Sequence, residues 1–189
     1  MTDTGSPRTS TPTGSRRTFT IGRTLAGLAV LTWLAFWIWA FAIASPSNPN
    51  ELETVGFASA SQALCETANA SIDAMPAARE ASTPQQRAAQ VRASTMVVEE
   101  MVSTLHASAD TVTIPDDVEL LNKWLEDYDA YVADRWRFVE KLASADGTES
   151  AKDLAFTLTQ RVSGGVYTSR IDAFARANHM PSCQVPGDA

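Results

Sequence analysis

The sequence predicts a mainly α-helical protein: an N-terminal transmembrane helix, then an exported three-helix antiparallel bundle with a small β-hairpin and a short C-terminal helix. Three observations lead to this prediction. Residues 24–44 form one uninterrupted apolar segment. Three later segments place apolar residues three and four positions apart, which is the spacing of one helix face. Near the C-terminus, two segments of alternating apolar and polar residues flank Ser163-Gly164-Gly165, an arrangement typical of a hairpin.

Residues 1–23 form a basic tail. They are rich in Ser, Thr, Gly and Pro, and they carry four arginines against a single acidic residue, Asp3. A segment of this composition has too little apolar surface to offset the conformational entropy that is lost on ordering. We therefore expect residues 1–23 to be disordered.

Residues 24–44 contain no ionisable side chain. A helix of this length is about 30 Å long, which matches the hydrocarbon core of a bilayer. Positively charged residues beside a membrane span are retained in the cytoplasm, so Arg16, Arg17 and Arg23 predict a cytoplasmic N-terminus and an extracytoplasmic C-terminal part. The sequence therefore predicts a single-pass protein of the plasma membrane, with the lipid bilayer as its partner through residues 24–44.

The same segment also fits an export signal that is removed. Residues 42–44 read Ala-Ile-Ala, the small-residue pattern of a cleavage site, and residues 15–19 resemble the start of a twin-arginine signal. The apolar segment is longer than that of most signal peptides, and Trp37 and Trp39 lie where an interfacial aromatic belt would be. These features favour a retained signal anchor over release near Ala44. Both interpretations put residues 45–189 on the same side of the membrane.

Residues 45–189 have the length of one domain with its own core. They carry 21 acidic and 11 basic side chains. Such a surface argues against nucleic acid and anionic lipid headgroups as partners. Both cysteines of the chain, Cys65 and Cys183, lie in this part, and an isolated pair in an oxidising compartment forms a disulfide in most cases. Two buried free thiols are the alternative.

Residues 45–49 contain two prolines and predict a short, stiff linker to an extracytoplasmic helical domain of residues 50–189. The first helix of this domain is expected over residues 50–75, because Pro76 cannot continue it. This helix is rich in Ala and Ser, so neighbouring helices can approach it closely.

The next two helices have clear starting signals. Thr83 and Pro84 supply an N-cap and a proline at the first helical position, a glutamine follows at the third, and the helix ends near Asp110. The third helix starts at Pro115 with acidic residues in its first turn, where the helix dipole favours them. It carries the most aromatic and apolar side chains, so we expect it to form the spine of the core.

The C-terminal part changes its period. Residues 154–160 and 166–171 alternate apolar and polar side chains, and they predict the two strands of the hairpin. A short last helix is expected over residues 171–178, ending before Pro181. This helix would bring Cys183 to the first helix of the bundle.

Two segments resemble a known group of proteins. They read WLEDYDAYVADR at residues 124–135 and IDAFARANHMPSCQVPGD at residues 171–188. Together they resemble uncharacterised actinobacterial single-pass membrane-anchored proteins with a C-terminal extracytoplasmic helical domain. The resemblance implies an exported helical domain and the same use of cysteine, and it implies no activity. Residues 76–115 depart from the pattern of that group.

The third helix carries the candidate surface for a partner or ligand. Arg135 falls on its aromatic stripe, where an unpaired charge would be costly, so it should bind a carboxylate or stack on an aromatic ring. It either anchors a partner or fixes the register of the helices. The aromatic residues around it either line a surface or belong to the core, and they are Trp124, Tyr128, Tyr131 and Trp136.

No set of residues forms a recognisable catalytic, cofactor or metal site. His106 and Asp110 lie one helical turn apart, but no nucleophile accompanies them. Four acidic residues at positions 126, 127, 129 and 134 lack the glycine-containing loop of calcium motifs. Lys123 and Arg137 are spaced to neutralise Asp127 and Asp134 respectively, so we expect a solvated face.

These observations predict a non-catalytic, membrane-anchored protein that binds a protein partner at the membrane or serves as an accessory subunit of a cell-envelope complex. The alternative is an exported domain that senses or binds a small molecule, with the aromatic stripe lining its pocket. An exposed aromatic patch would favour the first function. An enclosed pocket with converging polar groups would favour the second.

Overall fold

The computed structural model describes residues 18–43, 48–159 and 166–187, and the chain divides into two units, Met1–Ser47 and Asn48–Ala189. Five α-helices and no strand occur within the described ranges. Most of the predicted disordered tail, up to residue 17, lies outside them. Residues 44–47, at the end of the predicted span and in the linker, also lie outside.

The N-terminal unit contains one continuous helical segment. Helix α1 covers Thr18–Ile38, and a π-helical turn, Trp39–Ile43, follows it directly. The stretch Gly22–Phe41 is long and apolar enough to cross a membrane, and none of it is buried within the protein. An apolar N-terminal helix is thus confirmed. It begins at Thr18, before the predicted boundary at residue 24, and residues 18–23 contain no proline that would interrupt it.

Aromatic side chains contact one another along the C-terminal half of this helical segment. Trp33 meets Trp37 edge to face with the ring centroids 5.8 Å apart, and Trp37 stacks on Phe41 at 5.0 Å. The four-residue spacing places these three rings on one side of the helix. The segment therefore carries a contiguous aromatic stripe towards its C-terminal end.

Helix α2, the first helix of the C-terminal unit, covers Phe57–Asp73, so the predicted start at residue 50 is wrong. Gly56 precedes the helix with φ 97°, a left-handed conformation that glycine adopts without the steric cost that other residues have. The helix cannot extend backwards through this residue. Its C-terminal end lies two residues before the predicted one, ahead of Pro76.

The entry segment, residues 48–56, is non-helical because side chains of later helices bind its backbone. Asp117 accepts hydrogen bonds from the backbone N–H groups of Glu53 and Thr54, at 3.1 and 2.7 Å. Asn178 accepts another from the N–H of Leu52 at 2.8 Å. These bonds join residues more than sixty positions apart, which a local sequence pattern does not reveal.

Helix α3 covers Pro84–Ala109 and starts as predicted. The Thr83 hydroxyl accepts a hydrogen bond from the Gln86 N–H at 3.2 Å. The Gln86 side chain in turn accepts one from the N–H of Ser82 at 3.1 Å, one residue earlier than a standard capping box would have it. A 3₁₀ turn, Ala78–Glu80, connects α2 to this cap.

Helix α4 covers Pro115–Ala143 and forms the spine of the core, as predicted. Its contacts show that it runs antiparallel to α3. His106, late in α3, meets Asp129, whereas Thr95, earlier in α3, bonds to Arg135 further along α4. The main core lies among α2, α3, α4 and the last helix, and its buried aromatic residues are Phe57, Trp124, Tyr128, Tyr131, Tyr167 and Phe174.

The predicted hairpin is wrong. Residues 154–159 form turns and irregular chain, and the second predicted strand lies largely in helix α5, Tyr167–Ala177. The predicted turn at residues 163–165 lies outside the described residues. An alternation over six residues is too short to separate the period of a strand from that of a helix. The buried side chains of α5 follow helical spacing, and they are Tyr167, Ile171, Phe174 and Ala175.

The C-terminal segment, residues 178–187, returns to α2. His179 has φ 57° just after the end of α5, and the N–H of Met180 then bonds to the carbonyl of Ala175 at 2.8 Å, which ends the helix. The 3₁₀ turn Pro181–Cys183 follows. The Sγ atoms of Cys65 and Cys183 lie 2.03 Å apart, a disulfide distance, and both residues are fully buried. The predicted pairing is thus present in the structure.

Candidate functional site

The aromatic stripe of α4 belongs to the core. Trp124, Tyr128 and Tyr131 are only 2 %, 0 % and 1 % exposed. Trp124 contacts Tyr128 edge to face at 5.3 Å between ring centroids, and it lies 4.9 Å from the ring of Phe174 in α5. The interpretation of these three residues as a partner or ligand surface is therefore wrong, because later parts of the chain cover them. Trp136, the fourth aromatic residue of the stripe, is partly exposed.

Arg135 is fully buried and joins α3 to α4. Its guanidinium carbon lies 5.5 Å from the ring centroid of Tyr131, so the predicted aromatic stacking is present. Its N–H groups donate to the hydroxyls of Thr95, Tyr131 and Ser94 at 3.0, 3.0 and 2.6 Å. This burial supports the role in helix register and excludes an exposed anchor for a partner.

The prediction of a solvated acidic face on α4 is wrong for Asp127, which is 5 % exposed. Its carboxylate accepts two hydrogen bonds from Arg170 of α5, at 2.9 and 2.6 Å. This hydrogen-bonded pairing raises the pKa of the Arg170 guanidinium above its ordinary value. Lys123, the predicted partner of Asp127, instead binds Glu119 on the exposed face.

Asp134 is also buried, at 2 % exposure, and its carboxylate accepts hydrogen bonds from several residues. Arg137 pairs with it, as the helical spacing predicts. The carboxylate also accepts hydrogen bonds from the N–H and hydroxyl of Thr159, at 2.7 and 2.6 Å, and from the hydroxyl of Tyr167. The carboxylates of Asp127 and Asp134 therefore bind the C-terminal third of the domain to α4.

His106 does not pair with Asp110. Its Nε2 lies 3.1 Å from a carboxylate oxygen of Asp129 in α4, and both side chains are about half exposed. Asp110 instead ends α3, with its N–H bonded to the carbonyl of His106. Within the described residues, no group of three His, Cys, Asp or Glu side chains is placed to hold a metal ion.

A cleft of about 710 Å³ opens between the end of α2, the 3₁₀ turn that follows it, the first turns of α3 and the C-terminal segment. We call it the tail cleft. It is not lined by any residue of the predicted aromatic surface or of the disulfide. Its lining includes the polar residues Asp73, Arg79, Arg87, Gln90, Ser94 and Gln184.

The charged residues of the tail cleft are not paired. Asp73, Arg79 and Arg87 form no ion pair within the described parts of the chain. Arg137 and Arg170, by contrast, bind buried carboxylates. Two positive charges and one negative charge thus face one cleft, in a part of the chain with 21 acidic and 11 basic side chains.

Arg87 and Gln90 each carry an unsatisfied polar atom. They lie one helical turn apart on α3, and the buried Arg87 Nε and Gln90 Oε1 make no hydrogen bond to the described part of the protein. The Arg87 guanidinium stacks on Phe138, with its carbon 5.0 Å from the ring centroid. Leaving such a buried donor or acceptor unsatisfied costs about 1–3 kcal/mol. Both atoms are enclosed within the cleft wall rather than exposed to the cleft.

The opposite wall of the tail cleft is held rigidly. The disulfide to Cys65 holds the C-terminal segment at Cys183, and the hydroxyls of Tyr128 and Tyr131 donate to the carbonyls of Cys183 and Pro186, at 2.6 and 2.9 Å. Burial raises the pKa of Tyr128, so its hydroxyl stays protonated and remains a donor. The cleft is thus bounded by a covalently fixed segment on one side and by α3 on the other.

The domain exposes few large apolar side chains. Within residues 48–159 and 166–187, Val55 and Met96 are the only exposed ones, at 98 % and 58 %. These two do not form an aromatic patch. The tail cleft is therefore the feature of this unit that best fits the binding of another molecule.

No protein family, curated protein or solved structure matches this chain. The resemblance to actinobacterial membrane-anchored proteins stays a prediction.

Proposed function

We propose that this protein is a single-pass membrane protein with a cytoplasmic N-terminus, and that its disulfide-linked helical domain recognises a protein partner outside the cytoplasm. The recognition part rests on one observation, the tail cleft, whose lining contains three charged residues that form no ion pair with any described residue. In this proposal the protein is a non-catalytic subunit of a membrane or cell-envelope assembly.

The membrane part of the proposal is supported by the N-terminal unit. The stretch Gly22–Phe41 is long and apolar enough to span a bilayer, and Arg16, Arg17 and Arg23 precede or begin it. The aromatic stripe from Trp33 to Phe41 fits a place near a membrane interface. The disulfide of the C-terminal unit fits an oxidising compartment.

The positions of the ionisable groups with shifted pKa values support the proposal that the protein is not an enzyme. The pKa values of Asp117, Tyr128 and Arg170 are shifted, and each of the three side chains is engaged in a hydrogen bond that holds two segments together. None of them lines the tail cleft. Perturbed groups inside a pocket are the usual mark of an active site, so the arrangement favours binding over chemistry.

Reporter fusions test the topology. Alkaline phosphatase, which is active only outside the cytoplasm, is fused behind Ala189, and a cytosol-restricted fluorescent protein is fused there in a parallel strain. We expect phosphatase activity and no fluorescence. The matched control replaces Arg16, Arg17 and Arg23 with glutamate, which should weaken the orientation signal. Fluorescence from the unmodified sequence in intact cells would contradict the proposed orientation.

Site-specific photo-crosslinking tests the recognition function. A photoreactive amino acid is placed at Gln184 in the tail cleft and, as a control, at the exposed Lys152 outside it. We expect one defined crosslinked partner from position 184 and none from position 152, and we expect Arg87→Gln to reduce its yield. Equal crosslinking from both positions, or none from position 184, would argue against the cleft as the recognition site.

A small-molecule sensor is the second candidate. The volume of about 710 Å³ lies within the range of small-molecule sites, roughly 300–1,000 Å³. The aromatic lining that the sequence predicts for such a pocket is absent, because those residues are in the core. A thermal shift with a metabolite pool, without any crosslinked partner, would favour this second function.

A further inference from the structure

We propose that the tail cleft binds an organic carboxylate, with the acid group at Arg79 and Arg87 and the apolar part against apolar side chains of the lining. This inference rests on the proposed recognition function and deepens it, because it names the chemistry that the cleft recognises. The same chemistry can come from a free organic acid or from an acidic group of a partner protein, and the source is separated by experiment.

Arg87 presents accessible donors to the tail cleft. Its side chain is half-buried, and Nε is the one atom of its guanidinium that is enclosed without a partner. The two Nη atoms are open to solvent and donate no hydrogen bond to the described part of the chain. The ring of Phe138, 5.0 Å from the guanidinium carbon, limits the orientations of the group. The Nη edge can therefore receive an anion from the cleft.

Arg79 adds a second positive charge. Its side chain is exposed, lines the cleft and forms no ion pair with any described residue. Among the described lining residues, Asp73 is the only acidic one, so the lining has an excess of one positive charge. The surrounding domain, with 21 acidic and 11 basic side chains, repels additional negative charge on a ligand. This balance favours a ligand with a single negative charge over a dianion.

A carboxylate fits these two arginines in charge and in shape. A guanidinium is always charged, and its planar set of donors matches the two oxygens of a carboxylate. Hydrogen bonds between two charged groups are roughly twice as strong as those between neutral groups. Both arginines can therefore distinguish a carboxylate from an uncharged amide of the same shape.

Apolar side chains in the lining favour an acid with an apolar body. Met75 and Pro76, after the end of α2, and Val185 and Pro186, in the C-terminal segment, line the cleft and are at least partly exposed. Covering this surface with an apolar group removes it from water, which favours binding. The cleft, at about 710 Å³, has room for much more than one acid group. It therefore fits an organic acid better than an inorganic anion.

The wall that carries Val185 and Pro186 is held in place before a ligand arrives. The hydroxyl of Tyr131 donates to the carbonyl of Pro186 at 2.9 Å, and the N–H of Val185 donates to the Asp172 carboxylate at 2.9 Å. The disulfide holds the same segment at Cys183. A wall that is already ordered limits the entropy lost on binding.

Three fluorinated probes, titrated into the full-length protein in detergent micelles, test the proposal. The probe para-fluorobenzoate carries a carboxylate on an apolar ring, para-fluorobenzamide is its uncharged counterpart, and para-fluorophenyl phosphate carries a second negative charge. Fluorine NMR, with empty micelles as the reference for partitioning, should show the benzoate binding at least about tenfold more tightly than the amide. Equal binding of benzoate and amide would overturn the carboxylate. Tighter binding of the phosphate would overturn the preference for a single charge.

Competition with acetate tests the apolar part of the proposal. Acetate has the same charged group as para-fluorobenzoate but lacks the ring. It should therefore displace the bound benzoate at least about tenfold less effectively than unlabelled benzoate does. Equal displacement by acetate and benzoate would overturn the contribution of the apolar lining.

Matched arginine variants locate the site. Arg79→Gln and Arg87→Gln should each weaken binding of para-fluorobenzoate by about tenfold or more. Arg176→Gln removes the same charge from an exposed position outside the cleft and should leave binding unchanged. Arg79 is exposed, so its variant should keep the unfolding temperature of the unmodified protein, and the test stays valid even if Arg87→Gln is less stable. An equal loss in Arg176→Gln would reveal a general charge effect and overturn the site.

Crosslinking from position 184 in the presence of para-fluorobenzoate identifies the source of the carboxylate. Loss of the crosslinked partner would show that the partner supplies it, and undiminished crosslinking at saturating probe would assign it to a free acid. If the probe binds and no partner is crosslinked at all, the carboxylate stands and the recognition of a protein is overturned. If no probe binds but crosslinking persists, the carboxylate is overturned and the recognition function stands.

Discussion

The buried hydroxyl of Tyr128 donates a hydrogen bond of 2.6 Å to the backbone carbonyl of Cys183. The bond joins the middle of α4 to the residue that carries the disulfide to α2. A covalent connection and a polar connection therefore meet at Cys183. Their relative contributions can be measured separately.

Tyr128→Phe should lower the free energy of unfolding by about 1–3 kcal/mol, because the buried carbonyl of Cys183 loses its donor while the ring keeps its contacts. Urea unfolding followed by circular dichroism measures the change. Ser103→Ala, at an exposed position of α3, is the control and should stay within about 0.5 kcal/mol. Unchanged stability in Tyr128→Phe would show that the bond contributes nothing net.

Removal of the disulfide should destabilise the domain more strongly. The two cysteines are 118 residues apart, so the chain-entropy model predicts a loss of about 4–5 kcal/mol when the link is broken. Urea unfolding with and without a reducing agent measures it. The Cys65→Ala, Cys183→Ala double variant should have the same free energy of unfolding as the reduced protein. The reducing agent should not change the stability of this variant. A double variant as stable as the oxidised protein would contradict the predicted contribution.

Asp117 should make the domain sensitive to acid. Burial alone would raise the pKa of this carboxyl group, but hydrogen bonds from the Thr54 hydroxyl and from the N–H groups of Glu53 and Thr54 outweigh it and lower the pKa below its ordinary value. The unfolded chain then binds more protons than the folded one near pH 4. The stabilisation is complete above about pH 5 and is lost as the pH falls through the lowered pKa.

Asp117→Asn tests this pH dependence. At pH 7 the variant should be about 1–3 kcal/mol less stable, because one of two accepting oxygens is replaced by a donor. At pH 3 the difference between the two proteins should shrink, since protonation weakens the same bonds in the unmodified chain. A stability difference that is constant between pH 3 and pH 7 would exclude the carboxylate as its source.

Arg135→Lys should lower the free energy of unfolding by about 2 kcal/mol. A lysine keeps the charge but lacks the planar fork that reaches three hydroxyl groups and the aromatic ring. Thermal and urea unfolding measure the loss. Arg176→Lys, on the exposed face of α5, should change stability by less than about 0.5 kcal/mol. An equal loss of stability in both variants would show that the contacts of Arg135 do not stabilise the fold specifically.

Local signals predict α3 and α4 closely. The N-cap threonine before Pro84, and Pro115 with its acidic first turn, are signals that a few consecutive residues contain, and the structure has both helices where these signals put them. The start of α2 is different. It depends on Asp117 and Asn178, which bind the entry segment from distant parts of the chain. The residues near the start of α2 contain no signal that predicts these contacts.

The site is harder to predict than the fold, because the spacing of polar residues along a helix does not show which distant side chains they contact. Asp127 has the spacing of an exposed helical residue, and only the arrival of Arg170 from α5 explains its burial. The tail cleft forms where the C-terminal segment meets α2, a meeting that the pairing of Cys65 with Cys183 predicts. Its arginines, Arg79 and Arg87, carry no local signal that brings them together with the C-terminal segment, so their shared position becomes visible only in three dimensions.

The hydrogen bonds that Asp117 and Asn178 make to the entry segment determine how the domain responds to mechanical tension. A pull applied to the chain at Asn48 is carried first by the start of α4 and the end of α5, through the bonds to residues 52, 53 and 54. These bonds precede helix α2 along the chain, so they share a force applied at Asn48 among α4, the C-terminal segment and α2. The helical core is thus not loaded through α2 alone.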